Sequence, residues 1–158
     1  MPIRAAVPGD EATLRRLRLA AMLDAPAAFG SNHQRELARS DGDWARWIAS
    51  SPTFFWEEPS GEAVGLVAAV PERDDARVVN LLSMWVAPQH RGVGAADALV
   101  SAVLAFAAAR GAALVRLAVE RENRRARRSY ERNGFRVTGR ESHGVRPGMV
   151  EVEMERVL

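Results

Sequence analysis

The segment that most constrains the fold is residues 92–110. Ala96, Leu99, Val100, Val103, Leu104 and Ala107 recur there near helical spacing, and Gly111 stands where such a helix should stop. Apolar strand-like runs flank it: residues 77–86, stopping at Pro88, and residues 114–119. A helix held between two strands asks for a layered α/β arrangement.

The rest of the chain supplies the other elements. Residues 2–6 read as a short strand, Pro8-Gly9-Asp10 as a turn, and Asp10 as the N-cap of a helix reaching Leu23. Asp24-Ala25-Pro26 breaks that helix. A second helical stretch follows Phe29-Gly30-Ser31 and ends near Trp44, Trp47 and Ile48. Residues 53–56 and 63–70 read as strands, with a hairpin loop at 72–76. Residues 123–133 read as a helix ended by Gly134. Residues 135–139 and 150–157 form a closing antiparallel pair, in which Glu151, Glu153 and Glu155 alternate with Val152, Met154 and Val157. The expected order is βααβββαβαββ, an α/β fold with a mixed sheet in one domain over residues 1–158.

Composition narrows the setting. The apolar fraction of 47% and charged fraction of 27% suit a globular chain with one sizeable core. There is no cysteine, hence neither disulfides nor a thiolate metal site. No apolar run reaches the ~20 residues of a membrane helix, and no basic-then-apolar leader opens the chain. A cytoplasmic protein without membrane contact is expected. All 22 basic residues are arginine and the net charge is only +2, so global charge is weak evidence for nucleic-acid binding. Residues 121–132, however, hold six arginines against two glutamates, a local surplus suited to an anion.

Two segments carry chemistry. In the first, Met84-Trp85-Val86 ends a strand and Gln89-His90-Arg91-Gly92-Val93-Gly94-Ala95 opens the long helix. The first turns of a helix leave N–H groups unpaired at the positive end of its dipole, and glycines let a phosphate come close to them. Arg91 offers a positive charge beside them. No Gly-Lys-Ser/Thr follows, which excludes a P-loop, and Asp97 stands where a dinucleotide fold wants a third glycine. By itself, Gly-x-Gly fits an ordinary strand-to-helix turn about as well.

The second segment is Asn123-Arg124-Arg125-Ala126-Arg127-Arg128-Ser129-Tyr130, followed by Gly134-Phe135. Asn123, Ala126 and Tyr130 fall on one helical face, the small residue between two polar ones leaving room for a ligand arm. Tyr130 is the one tyrosine of the chain. Alone, this segment also fits an amphipathic helix with a buried aromatic and solvated arginines.

In this order and about thirty residues apart, the two segments resemble the paired cofactor motifs of the GCN5-related N-acetyltransferase (GNAT) family. The resemblance implies a mixed, mostly antiparallel sheet of about seven strands whose central parallel pair splays apart. It implies acetyl-CoA as acyl donor and no metal. The loop from Gln89 to Ala95, with Arg91, Gly92, Val93 and Gly94, would hold the pyrophosphate. Trp85 and Val86 would flank the pantetheine arm, with a backbone N–H near Val86 meeting the oxyanion. Asn123 and Ala126 would receive the arm, and Tyr130 would meet the thioester sulfur as the catalytic residue. The partner implied is a small-molecule or protein amine, with a homodimer common in the family and no nucleic acid.

The resemblance leaves other roles open. Residues 80–84 offer no carboxylate, and no general base is assigned; Glu120, Glu122 and His143 are the nearest candidates and read more simply as surface residues. The acceptor pocket is expected from residues 26–31 and 142–148. Trp44, Trp47 and Trp56 are candidates for its wall, although large aromatics are more often core. His143 and Arg146 fit a solvated loop better than a substrate contact. A non-catalytic acyl-CoA-binding domain on the same fold is the alternative reading, and a nucleic-acid binder using the arginines is a weaker one.

Overall fold

A computed structural model describes residues 2–29, 31–144 and 146–158. Seven strands form one sheet in the order β1-β2-β3-β4-β5-β7-β6: β1 (Ile3–Ala5), β2 (Thr53–Glu57), β3 (Ala63–Glu72), β4 (Asp75–Val86), β5 (Leu114–Glu120), β6 (Arg136–His143) and β7 (Val150–Val157). Every neighbouring pair is antiparallel except β4 and β5. The helices are α1 (Glu11–Asp24), α2 (His33–Leu37), α3 (Asp41–Ser50), α4 (Ala95–Ala109) and α5 (Arg124–Arg132). This is the mixed, mostly antiparallel seven-stranded fold expected from the sequence.

Two apolar layers hold the sheet. On one face, Leu99, Val100 and Val103 of α4 pack on Val67, Val79 and Leu81, joined by Val115, Leu117, Tyr130, Phe135 and Met154. On the other, Leu14, Leu17 and Met22 of α1 and Trp44 of α3 pack on Phe55 and Leu66. The central strand β3 is therefore buried on both faces over residues 63–69, as a strand between two helical layers must be. The α1–α3 layer does not reach β5 and β7: there Arg116, Ala118 and Glu120 alternate with the core residues and face away from α4.

Three local readings are corrected. The second helical stretch is two helices, because Asn32 caps α2 by accepting from the Arg35 N–H (2.8 Å) and Ser40 starts α3 afresh in a capping box with Asp43. Asp10 stands at the N-cap of α1 as expected, but its side chain makes no capping bond; its carboxylate accepts instead from the Val7 N–H (2.7 Å) and from Arg4 (2.8 Å). Strand β6 runs on to His143, past a wide irregularity between Val137 and Glu141 at which Gly139 takes φ +93°.

Candidate functional site

The site begins where β4 and β5 part. They pair in parallel only from Val78 to Asn80, against Leu114 to Arg116. Beyond that, β4 follows β3 through a bulge: Leu82 faces Ala68 and Trp85 faces Leu66, so Ser83 and Met84 together oppose Val67. Ser83 takes φ +60°, the one described non-glycine residue with positive φ. A bulge bends its strand, and here the bend carries residues 84–86 away from β5. The backbone edge of β4 facing β5 is left without a strand partner beyond Asn80.

A cleft of about 500 Å³ opens at this fork. Met84, Trp85 and Val86 form one side; Arg91, Gly92, Gly94 and Ala95 form its floor; Asn123, Ala126 and Tyr130 form the other side. Asp24, Ala25, Ala28 and Phe29 close one end. Of the residues expected to receive acetyl-CoA, Gln89 and Val93 stay out of the cleft: Gln89 lines a neighbouring hollow, and the Val93 side chain is 65% exposed.

The floor is built by glycine. Gly92 and Gly94 take φ of +83° and +88°, and Gly94 stands at the N-cap of α4. No side chain caps that end, leaving its first N–H groups to a ligand. Arg91 does more than contribute charge. Its Nη2 donates to Asp24 Oδ2 (2.5 Å) and its Nε to the Val86 carbonyl (2.9 Å), while Trp85 Nε1 donates to the same Asp24 oxygen (2.9 Å). Asp24 thus ties the end of α1 to the loop and to the end of β4. The Trp85 and Arg91 hydrogen bonds hold its carboxyl below the usual carboxylate range.

On α5, the Asn123 side chain accepts from the Ala126 N–H (3.2 Å), capping the helix and fixing its own position on the cleft wall. Tyr130 is 9% exposed, its ring edge-on to Phe135 at 5.8 Å. Burial pushes its hydroxyl well above the usual phenol value. Arg125 and Arg132 also line the cleft; Arg132 lies 3.5 Å from Asp97, to which Asn133 donates at 2.9 Å.

Other candidates fall elsewhere. Trp44 is buried under α1, Trp47 packs against the same cluster, and Trp56 packs on the α4 side; none lines the cleft. Glu120 sits opposite Glu151 across β5 and β7, on the face turned away from α4. Burial, and then the charge of Glu120, push the Glu151 carboxyl up. His143 is exposed at the end of β6, and Glu122 is exposed beside Arg121. Gly30 and Val145, within the two expected acceptor segments, lie outside the described residues. Among the described residues no group of three or more His, Asp or Glu is placed to hold a metal, and no helix is long and apolar enough to cross a membrane.

Sequence reading missed the bulge, the Asp24 tie and a buried ion cluster behind the bulge. That cluster joins Arg18, Glu36 and Arg39: Arg18 Nη2 lies 2.9 Å and Arg39 Nε 2.7 Å from the two oxygens of Glu36, which is fully buried. An arginine in the apolar face of α1 and a glutamate in a five-residue helix carry no local signal of pairing.

Known proteins resemble this chain in sequence and in fold. An uncharacterized N-acetyltransferase of Mycobacterium bovis is 42% identical over 79 residues, covering 50% of this chain and 49% of that protein. Human N-acetylaspartate synthetase is 39% identical over 105 residues, covering 66% of this chain and 34% of that protein. The chain spans about half or less of the length of these curated relatives. The phosphinothricin acetyltransferase of Sinorhizobium meliloti, solved in complex with acetyl-CoA, superposes with a TM-score of 0.81 at 20% identity, covering 100% of this chain and 89% of that one; the likeness is one of fold. The sequence model of the acetyltransferase (GNAT) family matches residues 17–135, three quarters of the chain and both motif segments, and the chain belongs to that family.

Proposed function

We propose that this chain transfers an acetyl group from acetyl-CoA to a primary amine. The observation that carries the reading is the fork itself: an unpaired strand edge, the open N-terminus of α4 and Tyr130 all border one cleft. Each suits a different part of the donor substrate. The N–H groups at Gly92 to Ala95 suit the pyrophosphate, at the positive end of the α4 dipole. The free edge of β4 suits the amides of the pantetheine arm, which can add to it like a strand. Arg125 and Arg132 supply further positive charge for phosphates.

Acyl transfer follows from that placement. The amine nitrogen bonds to the thioester carbon, the carbonyl electrons move to oxygen, and the C–S bond breaks as the oxyanion collapses. A backbone N–H at the end of β4 stabilises the oxyanion, and Tyr130 donates to the departing thiolate. The amine must first lose a proton, to water or to a carboxylate such as Glu120 or Glu151 on the outer face. The names of the relatives point to different amines, so the acceptor is defined here only as a primary amine.

Titration calorimetry with acetyl-CoA, with NAD as control, tests the donor. Micromolar binding of acetyl-CoA alone is expected, and release of free CoA thiol with a panel of amines separates a transferase from a domain that only binds acyl-CoA. Absence of acetyl-CoA binding sinks the proposal. Gly94→Ala checks the floor. A Cβ there meets nothing within 4 Å, so its cost is the left-handed backbone alone, about 1–2 kcal/mol. Acetyl-CoA affinity should fall about tenfold as the loop relaxes; unchanged affinity would move the phosphate site elsewhere.

A further inference from the structure

Behind the bulge of β4 lies a buried arginine that the acyl-transfer chemistry does not itself use. Arg18 is 5% exposed and projects from the middle of α1. Its Nη1 donates to Ser83 Oγ (3.3 Å), its Nη2 to Glu36 Oε1 (2.9 Å), and its guanidinium lies over the Trp47 ring at 4.9 Å and the Phe29 ring at 5.6 Å. Its Nε has no partner. Burying a guanidinium is costly, and leaving one of its N–H groups unmet adds to the cost. For stability alone, an apolar residue would serve as well or better here.

The group it reaches is the strained one. Ser83 holds the positive φ on which the bulge depends, a conformation that costs a non-glycine residue about 1 kcal/mol or more. The next three residues, Met84 to Val86, are the side of the cleft that faces the thioester in the function proposed above. Arg18 also carries Glu36 of α2 and touches Phe29, which closes the cleft end.

We infer that Arg18 is a positioning residue: by holding Ser83 in the bulge it sets the backbone of residues 84–86 against the acyl group, and it links that backbone to the helices beside the cleft. It rests on the acyl-transfer reading and touches no reacting atom.

Two variants test it. Arg18→Met leaves Glu36 paired with Arg39, and Ser83→Ala removes the hydroxyl while its Cβ keeps the strain of the positive φ. In the free protein, amide hydrogen exchange at residues 83–86 should rise about tenfold or more in both, with α4 and β5 within roughly twofold of the parent protein. With acetyl-CoA bound, isotope-edited infrared spectroscopy should show the carbonyl stretch of the parent complex displaced from that of free acetyl-CoA. Both variants should lose about half or more of that displacement while affinity stays within roughly threefold. A uniform rise in exchange makes Arg18 an ordinary stabilising residue and overturns the inference, as does a carbonyl band left at its parent position in either variant. Failure of the parent protein to bind acetyl-CoA overturns the acyl-transfer reading, and this role with it; the exchange pattern of the free protein tells that failure apart from an error about Arg18.

Discussion

Tyr130→Phe is expected to lower amine-dependent release of CoA about a hundredfold or more while leaving acetyl-CoA affinity within roughly threefold. The substitution removes one oxygen and little else. The ring is held edge-on to Phe135 and buried in the α4 core, and phenylalanine keeps that packing. Affinity should survive because the proposed phosphate and arm contacts lie on the loop, on β4 and at Asn123. Turnover should not, because the thiolate would leave into an apolar wall with no donor. Because burial raises the hydroxyl above the usual phenol value, Tyr130 does not titrate near neutrality, and the variant should keep the pH dependence of the parent while losing its height. Steady-state kinetics beside calorimetry decide the matter. Equal turnover in the two proteins would remove Tyr130 from the chemistry.

Glu36→Gln should be the most destabilising single change outside the central apolar core. Glu36 is fully buried and accepts from Arg18 and Arg39, so neutralising it leaves the Arg18 guanidinium buried without its counter-ion. Breaking a buried pair in this way costs about 3–5 kcal/mol, roughly a 10 °C fall in Tm for a domain of this size. The double change Glu36→Leu with Arg18→Met should recover most of that loss, since Arg39 is one-third exposed and can turn to water. Thermal unfolding of the three proteins tests this, and a double variant no more stable than Glu36→Gln would contradict it.

The same carboxylate carries a pH signature. Burial opposes its ionisation, yet the Arg39 hydrogen bond and the charge of Arg18 together hold it below the ordinary carboxylate range. Its folded-state pKa being depressed, its contribution is present above the unfolded value of about 4.3 and is lost as the pH falls through the folded value. The stability gap between parent and Glu36→Gln should therefore narrow below about pH 4.

Much of this protein was legible in the order of its residues, where the physics is local. Helix α4 shows in its apolar period and in glycines that must take positive φ at residues 92 and 94. The spacing of Asn123, Ala126 and Tyr130 puts all three on one helical face, and all three line the cleft. The start of α3 is written in the sequence too: Ser40 and Asp43, three residues apart, form a capping box.

What the residue order could not show are features made by partners far apart in the chain. The bulge arises because β4 carries two residues where β3 has one, and serine is no signature of positive φ. Arg18 meets Ser83 across 65 positions, and Asp24 meets Arg91 across 67. Local propensity decides which segments become helix or strand and which backbone groups stand free at their ends. Strand register and the packing of α1 against β4 decide which charges meet, and so where the cleft opens and what holds its edge in place.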